Sequence, residues 1–406
     1  MTSARLRVGA RSRLGVAALA GVIALVAFSM LGWVFQWTFM WGYVGYADSD
    51  LAAFRAGASV IADGGALYDA TFGPGGWTYP PFGGLVMLPL LAVPEAWLRP
   101  LSYVVNVSAL LVVVWLCAGP LLRRVASRGA RIAVVVGVSA VAVATTPVAD
   151  VLGLGQIGLL LLLLVTVDLV VVGTRGSRWH GVLIGVATAV KLTPGLFVVH
   201  LAITRQWRAA ATALGTTVAC WLAAAAVLRD DTITYVTRAV PFHLNDQIDG
   251  FGDWVYNQSW RGLVDGLPAP WANTLWVALS VATLVVGLWA AQRARRDPVL
   301  VLGILGIASV LVTPIAWHHH AVWVVPGLLA LVGDARSRWR TAGAGVLAVL
   351  LMIPSRYPPP PPPDRYVVLY VLLLAALVAI ATRSASEGEE RSAHSDSPSH
   401  AAPSVR

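Results

Sequence analysis

The chain has 406 residues, 57% of them hydrophobic and only 12% charged, against roughly 25% charged in ordinary globular domains. With a mean hydropathy of +0.73, polar surface is too scarce to cover a water-soluble particle of 42.9 kDa, which excludes a soluble enzyme, a disulfide scaffold and a disordered chain. The 29 Lys and Arg exceed the 20 Asp and Glu by 9, but the arginines fall in short loops between apolar runs, as topology signals do, and nucleic acid is not needed to explain them.

A span needs about 20 apolar residues. Arg5, Arg7, Arg11 and Arg13 precede an apolar run at about 14–37 that no small-residue cleavage site closes, so a retained first span is expected. Further candidates lie at 100–120, 132–148, 157–173, 208–228, 271–291, 298–316, 321–333, 341–354 and 367–382. Two stretches fit poorly: Phe82–Val93, interrupted by Pro89, and Gly181–Thr204, broken by Lys191-Leu192-Thr193-Pro194. The fold class is therefore all-α, a polytopic helix bundle of about 10–13 transmembrane segments over residues 1–382. After Thr382 the composition turns to Ser, Glu, His and Pro, and 383–406 reads as a disordered cytoplasmic tail.

The arginine clusters at 123–131, 175–178, 205–208, 293–296 and 336–340 are expected on the cytoplasmic side. Placing them all there makes Phe82–Pro120 cross a net single time and Gly181–Thr204 enter and return as a broken hairpin, with Lys191 near its tip. The alternative keeps every segment a simple crossing and puts two arginine loops outside. Both threadings leave Thr38–Pro81, Arg229–Pro270, Trp317–His320 and Ser355–Tyr366 on the extracytoplasmic side of a plasma membrane. The Pro358–Pro363 run reads as a stiff spacer, and Cys117 and Cys220, within apolar runs, as packing residues.

The chemistry concentrates in these outer loops. Leu51, Phe54, Ala58 and Ile61 recur at helical spacing, so 50–63 reads as an amphipathic helix lying on the membrane. Asp48 or Asp50 at its head is either the N-cap or a carboxylate made basic by partial desolvation. Tyr79-Pro80-Pro81 fixes an extended lead into the next segment, with ligand contact by Tyr79 as a second reading. Gln156 stands at a span start. Lys191 is a costly cation in an apolar stretch beside Pro194; it faces either a cavity and an anion or, by snorkelling, the membrane edge. Asn257, Gln258 and Arg261, interleaved with Trp254, Tyr256 and Trp260, suit a sugar and a phosphate together, or else form an interfacial belt. Adjacent helical residues point about 100° apart, so His318, His319 and His320 do not share one metal ion, and a single histidine serves as base or phosphate partner.

Taken in order, the Asp-Leu-x-x-aromatic helix from Asp50, Leu67-Tyr68, Tyr79-Pro80-Pro81, Gly155-Gln156, Lys191-Leu192-Thr193-Pro194, Asn257-Gln258-Ser259 and Pro314-x-x-Trp317-x-His319-His320 resemble one family. It is the polyprenyl-phosphate-mannose-dependent α-1,2-mannosyltransferases of actinobacteria, membrane enzymes of the GT-C type in glycosyltransferase family 87. The resemblance runs from about Asp48 to Pro326. It implies an extracytoplasmic active site, a mannose donor carried on polyprenyl phosphate, and a glycolipid or lipoglycan acceptor. It also implies Asp50 as the catalytic carboxylate, with Asp48 as the alternative, and His319 and His320 as cavity histidines, His319 catalytic. Phe54 stands where the family often has Tyr, and His318 where it has a small or polar residue.

The chemistry agrees independently. A lipid phosphate leaves readily, so the reaction needs a base for the attacking hydroxyl, Asp50 or His319, and cations for the phosphate, Lys191 with Arg261. A single displacement inverts a β-linked donor. No cofactor is called for, a divalent metal stays open, and the partners are the two lipid substrates and the bilayer. The rival reading is a transporter of a polyprenyl-linked sugar; such proteins tend to show internal repeats, and none of fixed period is evident.

Overall fold

A computed structural model describes residues 49–72, 75–239, 257–353 and 364–395. The first expected span, Asp48, residues 240–256 and the Pro358–Pro363 run lie outside the described residues.

Helix α1 (Asp50–Ala62) begins where Ser49 turns extended and its hydroxyl accepts the Ala52 N–H at 3.3 Å. The cap is thus Ser49, not Asp50: the hydroxyl is short enough to reach the orphan amide, and Asp50 is displaced into the first turn. The expected apolar face is present, but it is covered by protein. Phe54, Ala58 and Ile61 pack with Leu67, Trp77 and Tyr79. A two-residue antiparallel pair, β1 (Thr71–Phe72) with β2 (Gly75–Gly76), closes the loop that follows. Helix α2 (Pro81–Met87) passes into a 3-10 turn (Leu88–Ala92), and Arg55 of α1 donates to the carbonyls of Leu90 and Val93 at 3.1 and 2.7 Å. That stretch returns to α1 and does not cross.

From there α3 (Glu95–Cys117) runs to the first arginine cluster. Helix α4 (Arg128–Ala144), capped by Ser127, comes back and bends by 80° into α5 (Thr146–Leu154). Pro147 causes the bend, since its ring excludes the carbonyl four residues earlier. Helix α6 (Gly158–Val167), prolonged by a π-turn (Asp168–Gly173), descends again. Pro194 likewise separates α7 (Val182–Val190) from α8 (Gly195–Ile203), and Lys191 sits extended in the break. The rest of the bundle is α9 (Trp207–Val227), α10 (Arg229–Thr234), a short α11 (Trp260–Val264), α12 (Ala269–Arg293), α13 (Pro298–Val312), a 3-10 turn (His318–Ala321), α14 (Val324–Val332), α15 (Arg338–Leu351) and α16 (Asp364–Ser395). The all-α expectation is met. Among the described residues four helices, α3, α9, α12 and α16, are long and apolar enough to cross a membrane alone, and α4 with α5 makes a fifth if the bent pair is one span. The other apolar runs are shorter helices because prolines and the junction loops interrupt them. Helix α16 runs on to Ser395, the last of the described residues.

The ends of α7 and α8 decide the threading. Arg208 donates to the Ser177 carbonyl at 3.1 Å, so the chain entering α7 and the chain leaving α8 lie side by side. Ala189, near the top of α7, accepts from the Trp221 indole at 3.2 Å. Trp221 stands about 21 Å along α9 from Trp207, and about 9 Å short of its far end. Residues 181–204 therefore form the broken hairpin, with Lys191 at its tip. The arginine end is bound together elsewhere in the same way. Arg124 donates to Asp334 O, Arg131 to Val125 O, and Arg340 to Leu331 O and Ala330 O. Asp168 adds a buried cap from another helix. It accepts the N–H groups of Gly181 and Ile184 at 2.8 and 3.0 Å and pairs with His180 Nδ1 at 2.6 Å, where Gly181 has no side chain to cap α7.

Candidate active site

Three chain breaks meet at the opposite end: the head of α1, the α5–α6 turn, and the α7–α8 tip. Gly155 ends α5 with φ +71, and a Cβ there would lie 2.6 Å from that of Leu51, so only glycine lets α1 dock on this turn. The turn delivers Gln156, whose Oε1 accepts from the Tyr79 hydroxyl at 2.9 Å. Tyr79 is held from the other side, where Tyr68 donates to its carbonyl at 2.6 Å, and its ring stands edge-on to Phe54 at 5.5 Å. Lys191 Nζ donates to the Tyr79 hydroxyl at 3.4 Å and lies 5.0 Å from the centroid of its ring. Asp50 is within electrostatic reach of both Lys191 and Tyr79. Burial, then the Asp50 charge, pushes the Tyr79 phenol up, so it stays protonated as a donor.

The histidine turn closes the junction. Asn257 bridges to the irregular segment leading into it, donating to Pro314 O at 2.8 Å and accepting from Ala316 N at 2.9 Å, while Gln258 N donates to Ala316 O at 2.6 Å. These contacts tie the Asn257-Gln258-Ser259 motif to the turn as a brace. Of the three histidines, His318 turns away from the other two. His318 turns inward to Asp150, Nδ1 to Oδ2 at 3.8 Å, and against the Tyr366 ring at 4.7 Å. His319 is buried, packed edge-on against His320 at 4.5 Å. His320 is partly exposed and within electrostatic reach of Lys191. Arg261 joins none of this: its guanidinium bonds Asn273 and stacks over Trp276 at 5.6 Å, both on α12.

Asp50, Tyr79, Gln156, Lys191 and His320 are thus brought together, with Asp50, Lys191 and His320 part-exposed and Tyr79 and Gln156 buried as the frame. Asp150 escaped the sequence reading, although a lone carboxylate in the apolar stretch Thr146–Leu154 carries the same signal as Lys191. Asp231 escaped it too. It accepts the Leu67 N–H at 2.8 Å and joins the two outer loops; burial raises its carboxyl, opposed by the N–H groups of Leu67 and Tyr68. Among the described residues no three His, Cys, Asp or Glu side chains are arranged to hold a metal ion.

Residues 77–314 match the model of glycosyltransferase family 87. The chain belongs to that family. The match contains Tyr79, Gln156 and Lys191, begins after Asp50 and stops before the histidine turn. Longer similarities reach curated relatives. A polyprenol-phosphate-mannose-dependent alpha-(1-2)-phosphatidylinositol mannoside mannosyltransferase of Mycobacterium tuberculosis is 29% identical over 368 residues, 84% of this chain and 83% of the relative. Its counterpart of the same description in Mycolicibacterium smegmatis is 30% identical over 342 residues, 75% of each chain. A polyprenol-phosphate-mannose-dependent alpha-(1-2)-phosphatidylinositol pentamannoside mannosyltransferase of Mycobacterium tuberculosis is 32% identical over 311 residues, 71% of this chain and 67% of the relative. No solved structure matches the chain. This family 87 member is a multi-pass membrane glycosyltransferase, a hexosyltransferase whose relatives use a polyprenyl-phosphate sugar.

Proposed function

We propose that the protein transfers mannose from polyprenyl-phosphate-mannose to the mannosyl headgroup of a phosphatidylinositol-type glycolipid or lipoglycan, on the extracytoplasmic side of the plasma membrane, with inversion to an α-1,2 linkage. The observation that carries this reading is a partly exposed carboxylate, ammonium and imidazole, Asp50, Lys191 and His320, on one buried frame at the end away from the arginine clusters. The arginine end is the cytoplasmic one by the charge rule. The α7–α8 tip meets α9 at Trp221, about 9 Å short of that helix's far end.

The residues divide the work as follows. The donor phosphate takes the Lys191 ammonium, with His320 beside it. That contact withdraws a cation from Asp50, and a carboxylate with fewer opposite charges is a stronger base. Asp50 accepts the proton of the acceptor hydroxyl as its oxygen attacks C1 of the sugar from the face opposite the phosphate. The C1–O bond breaks, and polyprenyl phosphate leaves with the electron pair, its charge met by Lys191. Arg261, turned to α12, takes no part in this step. Purified protein in detergent, given radiolabelled polyprenyl-phosphate-mannose and a phosphatidylinositol mannoside, tests the reading. Label in the glycolipid, resistant to a β-mannosidase and released by an α-mannosidase, is the expected result. Failure to transfer, with donor moving across the bilayer in proteoliposomes, replaces the enzyme by the transporter.

A further inference from the structure

The hydrogen bonds at Lys191 can run in one direction only. An ammonium has three donors and no acceptor, so in its 3.4 Å contact the Tyr79 oxygen must accept. The single phenolic proton then has to go elsewhere, and it goes to Gln156 Oε1 at 2.9 Å. Both members of this chain are more firmly fixed than the lysine. Tyr79 is 8% exposed, held at its carbonyl by Tyr68 and at its ring by Phe54 and Trp77. Gln156 is 3% exposed and follows the left-handed Gly155, with its own N–H on Val151 O at 2.9 Å. Lys191, by contrast, sits in a break between helices with a long flexible side chain that is only half-buried.

We propose that Tyr79 and Gln156 are positioning residues, not substrate ligands: their directed hydrogen-bond chain aims the Lys191 ammonium at the lipid phosphate of the donor. The inference rests on the reading of Lys191 given above and deepens it. Gln156 supplies the polarity, because an oxygen there makes the Tyr79 hydroxyl turn its lone pairs toward Lys191. Tyr79 supplies the place, offering the ammonium both a hydroxyl oxygen and a ring face. Two N–H donors of Lys191 are then left for other acceptors, with Asp50 and His320 within electrostatic reach.

The test is the affinity of the full-length protein in nanodiscs for polyprenyl phosphate, the leaving group, so that inactive variants still report, together with kcat at saturating donor. Tyr79→Phe keeps the ring and removes the oxygen; it is expected to raise Kd roughly five- to tenfold and to lower kcat by no more than Lys191→Ala does. Gln156→Leu is expected to do the same, and the double variant to bind no worse than either single one, since both break one chain. In a Lys191→Ala background, Tyr79→Phe should add nothing. A purely structural role for Tyr79 predicts the reverse, an effect that persists without Lys191 and adds to that of Gln156→Leu, and either result overturns the proposal. An unchanged Kd in Tyr79→Phe, with Lys191→Ala clearly weakened, overturns it while leaving the reading of Lys191 standing. An unchanged Kd in Lys191→Ala removes that reading and the proposal with it.

Discussion

The arginines that tie the bundle together and Lys191 at its junction are held in different ways. At the arginine end Arg124, Arg131, Arg208 and Arg340 give their donors to backbone carbonyls, which belong to helix ends and loops and have nowhere to go. Arg55 does the same at the other end, holding Leu90 O and Val93 O. Lys191 instead meets a phenol oxygen and the field of a carboxylate, both on side chains. A guanidinium locked on carbonyls is a staple, whereas an ammonium among side chains can exchange a partner for an arriving phosphate. Exposure alone does not make the distinction, since Arg55, Arg131 and Arg340 are half-buried as Lys191 is, while Arg124 and Arg208 are exposed. The identity of the acceptor does.

That contrast can be broken in graded steps. Asp50→Asn is expected to lower transfer by on the order of 10²–10⁴, with thermal unfolding near that of the parent, because Ser49 is the cap. A variant that melts early instead would return Asp50 to the fold. Asp168→Ala should act purely on the frame. Removing the carboxylate that pairs with His180 and caps α7 is expected to cost about 3 kcal/mol in denaturant or thermal unfolding, while the rate per folded molecule stays close to that of the parent. Lys191→Ala should weaken donor binding by about 1.5–3 kcal/mol, and Lys191→Arg should restore part of it because the charge is kept. Donor titrations of the three proteins check this. Ser49→Ala is expected to cost about 1 kcal/mol of stability with little change in turnover. Smallest of all, Arg208→Ala should leave donor affinity unchanged and lower stability by less than about 1 kcal/mol, and a large loss of donor affinity there would erase the difference between those arginines and Lys191.

Much of this was legible in the chain itself, for local reasons. The α1 face, the break at Pro194 and the clustering of the arginines each follow from periodicity, from a missing N–H or from the cost of a charge in hydrocarbon, whereas the break at Pro147 falls inside the run read as one span at 132–148. The cap of α1 was not legible, because Asp48, Ser49 and Asp50 all have an oxygen that can reach an amide and only the backbone chooses among them. Nor were the partners of the three histidines, which come from α5, α16 and the α7–α8 tip, far away in sequence.

By itself, then, the sequence determined a helical membrane protein, its family, the short list of polar residues that hydrocarbon would not tolerate without a purpose, and the break at Pro194. Only the tertiary structure chose between the two threadings, through the Arg208–Ser177 contact that folds 181–204 back on itself. Only it separated Lys191, beside Tyr79 and Asp50, from Arg261, turned to α12, although both read as phosphate cations from composition. The reason is physical. Helix breaks and burial are set by residues near in the chain, whereas the partner of a charge is set by whichever groups packing brings within a few ångströms.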